Sequence, residues 1–96
     1  MIGEMDDLLK KVKPFLQENG VNKFALFGSR ARGEQKPTSD FDFLVEFEKG
    51  RTLLDLVNLK QELEILTSSE VDLVTYRSLL PSLRERVLLE QIILYG

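Results

Sequence analysis

Two aspartates one residue apart, Asp40 and Asp42, stand at the head of a segment that alternates like a strand, Asp40-Phe41-Asp42-Phe43-Leu44-Val45. In a strand, residues i and i+2 point to the same side, so the two carboxylates are expected next to each other. Adjacent carboxylates repel and are costly unless something positive separates them. A divalent cation meets that need: Mg²⁺ takes carboxylate oxygens and waters and completes its shell with substrate phosphates. Upstream, Gly28-Ser29 falls where one strand should give way to a short helix. Glycine lets backbone approach a ligand closely, a helix start offers free N–H groups, and the Ser29 hydroxyl can donate to a phosphate oxygen. By itself such a turn is also an ordinary helix cap.

A third carboxylate, Asp72, is the only charge in Val71-Asp72-Leu73-Val74, where burial without a partner would be costly. Paired aspartates can bridge two ions roughly 3.5–4 Å apart, with a third carboxylate close to an attacking nucleophile. Each acid has a plainer reading: Asp40 as a turn residue, Asp42 as a solvated strand position, Asp72 as a charge that guards a sheet edge. Their combination with the Gly28-Ser29 turn points instead to metal-assisted chemistry on a nucleotide. Arg32 is expected on phosphate or ordering the aspartates, since guanidinium matches phosphate geometry. Arg30 reads equally as a phosphate ligand and as an ion-pair partner of Glu34, Asp42 or solvent.

The elements that must position these groups are legible from periodicity. Met5, Leu8, Leu9, Val12, Phe15 and Leu16 follow helical spacing, with Pro14 inside the pattern predicting a kink or a late start. Gly20 suits a left-handed helix end, and Lys23 to Phe27 reads as a buried strand. Arg30 to Gly33 allows a turn or two of helix, followed by a polar, exposed loop from Glu34 to Thr38 containing Pro37. Phe41, Phe43, Val45 and Phe47 alternate with Asp42, Leu44, Glu46 and Glu48, predicting one aromatic core face and one face bearing carboxylates. Thr52 is placed to cap a helix from about Leu53 to Leu66. Val71 to Val74 is a third strand. Ser78 to Pro81 should open a final helix whose Leu83, Val87, Leu88, Ile92 and Ile93 form a wide apolar arc. The expected fold is a single small α/β (α+β) domain over residues 1–96, with a three-stranded mixed sheet flanked by helices. That arc, extended by Leu89 and Leu94, reads mainly as core, with the remainder free to form an interface for a homodimer or another protein.

Composition narrows the chemistry further. The 96 residues are 43% hydrophobic, enough for one compact core. A net charge of −3 argues against a nucleic-acid surface, which carries a basic excess. Without cysteine or histidine, disulfides, thiolate zinc sites, serine–histidine triads and histidine general bases are excluded. No apolar run approaches the roughly 18 residues of a membrane span, and the first residues lack the basic start and apolar centre of a secretion signal. A soluble, cytoplasmic protein is the expectation.

The run Gly28-Ser29-Arg30-Ala31-Arg32-Gly33, followed by Ser39-Asp40-Phe41-Asp42, resembles the signature of the DNA-polymerase-β-like nucleotidyltransferase superfamily. Small size and the Ala31-Arg32-Gly33 continuation make its minimal nucleotidyltransferase (MNT) branch the nearest match. The resemblance spans nearly the whole chain, including the Val71–Val74 strand and the Arg84-Glu85-Arg86 helix. It implies that Asp40, Asp42 and Asp72 are the catalytic, Mg²⁺-holding residues, with two ions, and that Gly28 and Ser29 hold the nucleotide's phosphates; Arg30 and Arg32 are candidates beside them from guanidinium chemistry alone. The implied reaction moves AMP from ATP to an acceptor hydroxyl and releases diphosphate. Members of this kind are paired with an all-helical HEPN ribonuclease toxin and act as its antitoxin by adenylylating a toxin tyrosine. Three other readings stay open: an antitoxin that neutralises its partner by binding alone, a free-standing transferase acting on a small molecule, and a metal-binding fold without nucleotide chemistry.

Overall fold

The computed structural model describes residues 2–33 and 40–96, with burial and side-chain contacts given from residue 6 onward; the expected polar loop from Glu34 to Thr38 lies outside the described residues. The chain forms α1 (Ile2–Glu18), β1 (Val21–Phe27), α2 (Ser29–Arg32), β2 (Phe41–Phe47), α3 (Leu53–Thr67), β3 (Val71–Thr75), a 3-10 turn (Tyr76–Ser78), α4 (Pro81–Glu90) and β4 (Ile92–Tyr95).

In α1, Leu8, Val12 and Leu16 recur every four residues and are buried, while Leu9 and Phe15 flank the stripe. The helix runs through Pro14. Pro14 and Lys10, whose carbonyl loses its usual partner, are both exposed, so solvent can satisfy the freed oxygen. Gly20 has the left-handed φ of 68° expected after a helix end. Thr52 caps α3 as predicted: its hydroxyl accepts from Leu54 N at 3.2 Å, and Asp55 accepts from Thr52 N at 2.8 Å.

The strands form one sheet in the order β3-β2-β1-β4, with β2 and β3 parallel and β1 antiparallel to both its neighbours. Alternation along β1 and β2 sends Phe24, Leu26, Phe41, Phe43 and Val45 to one face, against α1 and against Leu59 and Leu63 of α3. Phe43 stacks on Phe24 and Phe41, with ring centroids 4.8 and 5.7 Å away. Each such fully buried side chain contributes about 1.5–3 kcal/mol. On the other face, Ala25 and Leu44 pack beneath Tyr76 and Val87, edged by Phe27, Val74, Leu79 and Leu88.

The sheet has four strands, not three. The expected final helix stops at Glu90, Gln91 adopts an extended conformation, and Ile92–Tyr95 pairs antiparallel with β1. A continuous apolar run reads alike as helix or strand. Long-range pairing decides this one, because β1 would otherwise present an open edge. The apolar arc is divided accordingly: Val87 is buried and Leu88 and Leu94 are partly so, whereas Leu83, Leu89, Ile92 and Ile93 are exposed, Leu89 at 81%.

Candidate active site

The site lies at the end of the sheet where β1 leaves and β2 enters. Phe27, the last residue of β1, pairs with Asp42 of β2, and Asp42 pairs in parallel register with Asp72 of β3. Side chains in register on neighbouring strands share a face. The two acids are therefore neighbours although they stand 30 positions apart in sequence. Both lie on the α4 side of the sheet, while Phe41 and Phe43 enter the main core. Asp40 directly precedes β2 rather than standing within it, and is exposed.

Asp42 is half-buried and the most perturbed acid here. Its pKa is pushed from 3.8 up to about 6 by burial first, then by the charge of Asp72 and a hydrogen bond with it, then by the charge of Asp40; Arg32 pulls the other way. A hydrogen bond between two carboxyl groups needs a proton on one of them; Asp42 carries that proton below about pH 6, and above it two carboxylates face each other and repel. Among the described residues no three acidic side chains already close on a single point. Asp42 and Asp72 are brought together and Asp40 stands at the rim, close enough to act through its charge. Oxygen-only donors with surplus negative charge fit a hard cation such as Mg²⁺.

Directly beneath is the Gly28 turn. Gly28 has φ 78° and ψ −157°, a region essentially restricted to glycine, and a Cβ there would overlap the Asp42 carboxylate. The phosphate-turn glycine of the sequence reading is thus also the residue that lets Asp42 sit where it does. Ser29 opens α2, a single turn of four residues, and Gly33 closes it at φ 74°. Ser29 is half-buried at this end of the helix.

The two arginines diverge. The Arg30 guanidinium lies over the Phe41 ring, 3.8 Å from its centroid, on the face of β2 opposite Asp42. That stacking was not anticipated. Arg32 faces the acids' side: its Nη1 donates to Glu90 Oε2 at 3.1 Å, and its charge reaches Asp42. Glu90 also accepts from Arg86 Nε at 3.2 Å, one helical turn back. Glu90 escaped the sequence reading. Only the Arg86–Glu90 spacing on α4 hinted at it, and its pairing with Arg32 spans 58 residues.

These features define a nucleotidyltransferase-like centre: acids on adjacent strands over a glycine–serine turn. A family model described as polymerase beta, nucleotidyltransferase matches residues 10–96. The chain is 49% identical over 88 residues to a Methanocaldococcus jannaschii protein assigned as protein adenylyltransferase MJ0435, covering 92% of this chain and 95% of the relative. It is 41% identical over 88 residues to protein adenylyltransferase MntA of Thermococcus cleftensis, covering 91% and 89%. Among solved structures, a minimal nucleotidyltransferase matches with TM-score 0.77 at 48% identity, over 86% of this chain and 85% of the other. A toxin–antitoxin structure with AMP-PNP matches with TM-score 0.75 at 30% identity, over 91% and 72%. The complex of a tri-AMPylated Shewanella oneidensis HEPN toxin with its MNT antitoxin matches with TM-score 0.70 at 26% identity, over 96% and 72%. The chain belongs to the polymerase β nucleotidyltransferase family, in its minimal nucleotidyltransferase branch, and is an enzyme of the nucleotidyltransferase class. Among the described residues no helix is long and apolar enough to cross a membrane.

Proposed function

We propose that residues 1–96 form one catalytic domain that transfers AMP from ATP to a hydroxyl, a tyrosine, of a HEPN ribonuclease toxin in the cytoplasm, and so act as the antitoxin. The observation that carries this reading is the Asp42–Asp72 pair, in register on adjacent strands with the Asp42 carboxylate packed over Gly28. The AMPylated toxin in complex with an MNT antitoxin and the toxin–antitoxin structure with AMP-PNP support the acceptor and the nucleotide.

In this reading the backbone at Gly28 and the Ser29 hydroxyl donate to triphosphate oxygens, and Arg32 adds positive charge beside them. Asp40, Asp42 and Asp72 would hold Mg²⁺, two ions in the full arrangement, which would supply positive charge against that of the α-phosphoryl group and the departing diphosphate. Asp72 is exposed and faces the incoming acceptor. It orients the hydroxyl and takes its proton as the oxygen bonds to the α-phosphorus. The bond from that phosphorus to the bridging oxygen breaks, and diphosphate leaves with the electron pair. Partial burial of Asp42 puts its own carboxylate in a less watery setting, where its attraction to a cation would be stronger.

The exposed Leu83, Leu89, Ile92 and Ile93 provide apolar surface for a partner, as a hetero-oligomer or a homodimer, and favour one second reading, neutralisation by binding alone. The test is mass spectrometry of the neighbouring helical protein after incubation with this chain, ATP and Mg²⁺. Mass gained in AMP-sized steps, and lost with Asp40→Ala, supports transfer. A stable complex with no mass change supports neutralisation by contact.

A further inference from the structure

Helix α2 carries the groups assigned to the triphosphate, yet it has little of its own to hold it in place. It is one turn long, buries no residue, has no side-chain N-cap, and is bounded by two glycines with positive φ, Gly28 and Gly33. A single turn fixes several dihedral angles for one hydrogen bond and is unfavourable in isolation. Its orientation must come from contacts with the rest of the fold. On one side Arg30 lies on Phe41 and Ala31 packs against the core. On the other side Arg32 reaches Glu90 at 3.1 Å.

Glu90 is suited to be a fixed point. It is the last residue of α4, its side chain is only 24% exposed, and Arg86 grips its other oxygen at 3.2 Å. Its carboxylate therefore lies between two guanidinium groups, one on its own helix and one on α2. Arg32 in turn is bonded to Glu90, and its charge also acts on Asp42. Removing Glu90 would take from Arg32 the carboxylate that fixes it against the end of α4 and shift the balance of charge around it toward the aspartates.

We infer that Glu90 is a positioning residue for nucleotide binding, holding Arg32 and the one-turn helix α2 against the end of α4. The inference rests on the nucleotidyltransferase reading given above and adds a residue to it. Glu90 touches no reacting atom and acts through Arg32.

The experiment measures binding of ATP with Mg²⁺ by calorimetry, and AMP transfer where the acceptor is in hand, for the wild type, Glu90→Gln, Arg32→Ala and the double variant. Glu90→Gln is expected to weaken ATP binding about tenfold, in the range for a supporting hydrogen-bond partner. The change should fall on KM rather than kcat. The double variant should bind no more weakly than Arg32→Ala alone, because Glu90 has nothing left to position. A purely structural role would lower the melting temperature of Glu90→Gln while leaving ATP affinity unmoved, and that result overturns the inference. So does full additivity in the double variant. Wild-type protein that binds no ATP overturns the functional reading and the inference with it. Wild-type binding unchanged in Glu90→Gln overturns the inference alone.

Discussion

Replacing Asp42 by asparagine is expected to make the metal-free protein more stable while abolishing AMP transfer. The folded protein holds the Asp42 pKa at about 6 against 3.8 for a free aspartate. A carboxyl raised in this way favours folding while it is protonated, below about pH 4, and loses that contribution as pH rises through 6. At about 1.4 kcal/mol for each pH unit, the rise from 3.8 to about 6 corresponds to at most about 3 kcal/mol. Asp42 keeps partial contact with water, so about 1–2 kcal/mol is the working expectation. Wild-type stability in chelator should therefore fall by that amount between pH 4 and pH 7. Asp42→Asn should be flatter over the same window and more stable at pH 7 by a similar margin, several degrees in melting temperature for a chain of this size. Adding Mg²⁺ at pH 7 should stabilise the wild type and act more weakly on the variant. Thermal melts at a series of pH values, with and without Mg²⁺, measure all of this. A wild type equally stable in chelator at pH 5 and pH 7, together with an asparagine variant that is no more stable, would refute the claim that these acids are held in mutual repulsion.

Other expectations follow from the same geometry. Gly28→Ala must place a Cβ into the Asp42 carboxylate at a positive φ; it should cost about 1–3 kcal/mol by backbone strain alone and lower ATP affinity in calorimetry. Asp72→Asn removes an exposed acid and should leave stability near wild type or slightly higher, with AMP transfer lost in the mass-spectrometric assay; it should also lower the Asp42 pKa, because Asp72 is the main charge raising it. Phe43→Ala should cost about 3–5 kcal/mol in denaturant unfolding, because Phe43 is fully buried between two stacked rings. Thr52→Ala deletes the α3 cap and should cost about 1 kcal/mol with no change in ATP affinity, since α3 packs on the face opposite the acids.

Local pattern and long-range pairing divided the work in this chain. The helical stripe of Leu8, Val12 and Leu16, the capping Thr52, the left-handed Gly20 and the two-residue period through Phe41, Phe43 and Val45 depend on neighbours within a turn or a strand, and all were legible in the residue order. The acids and the Gly28-Ser29 turn also stood out in the residue order, by residue type and short spacing, as candidates for chemistry. Other features depend on partners far along the chain. Ile92-Ile93 had no local reason to be strand rather than helix until β1 offered an edge. Asp42 and Asp72 each stood out in the sequence, but their exact pairing needed the parallel register of β2 and β3. The same holds for Arg30 on Phe41 and Arg32 on Glu90: charge and type were visible, and the partner was a matter of tertiary approach. The sequence by itself determined which groups were available for chemistry and the local elements that carry them. Only the tertiary structure decided which of those groups face one another, because register and helix docking are set by burying the whole core at once rather than by any one segment.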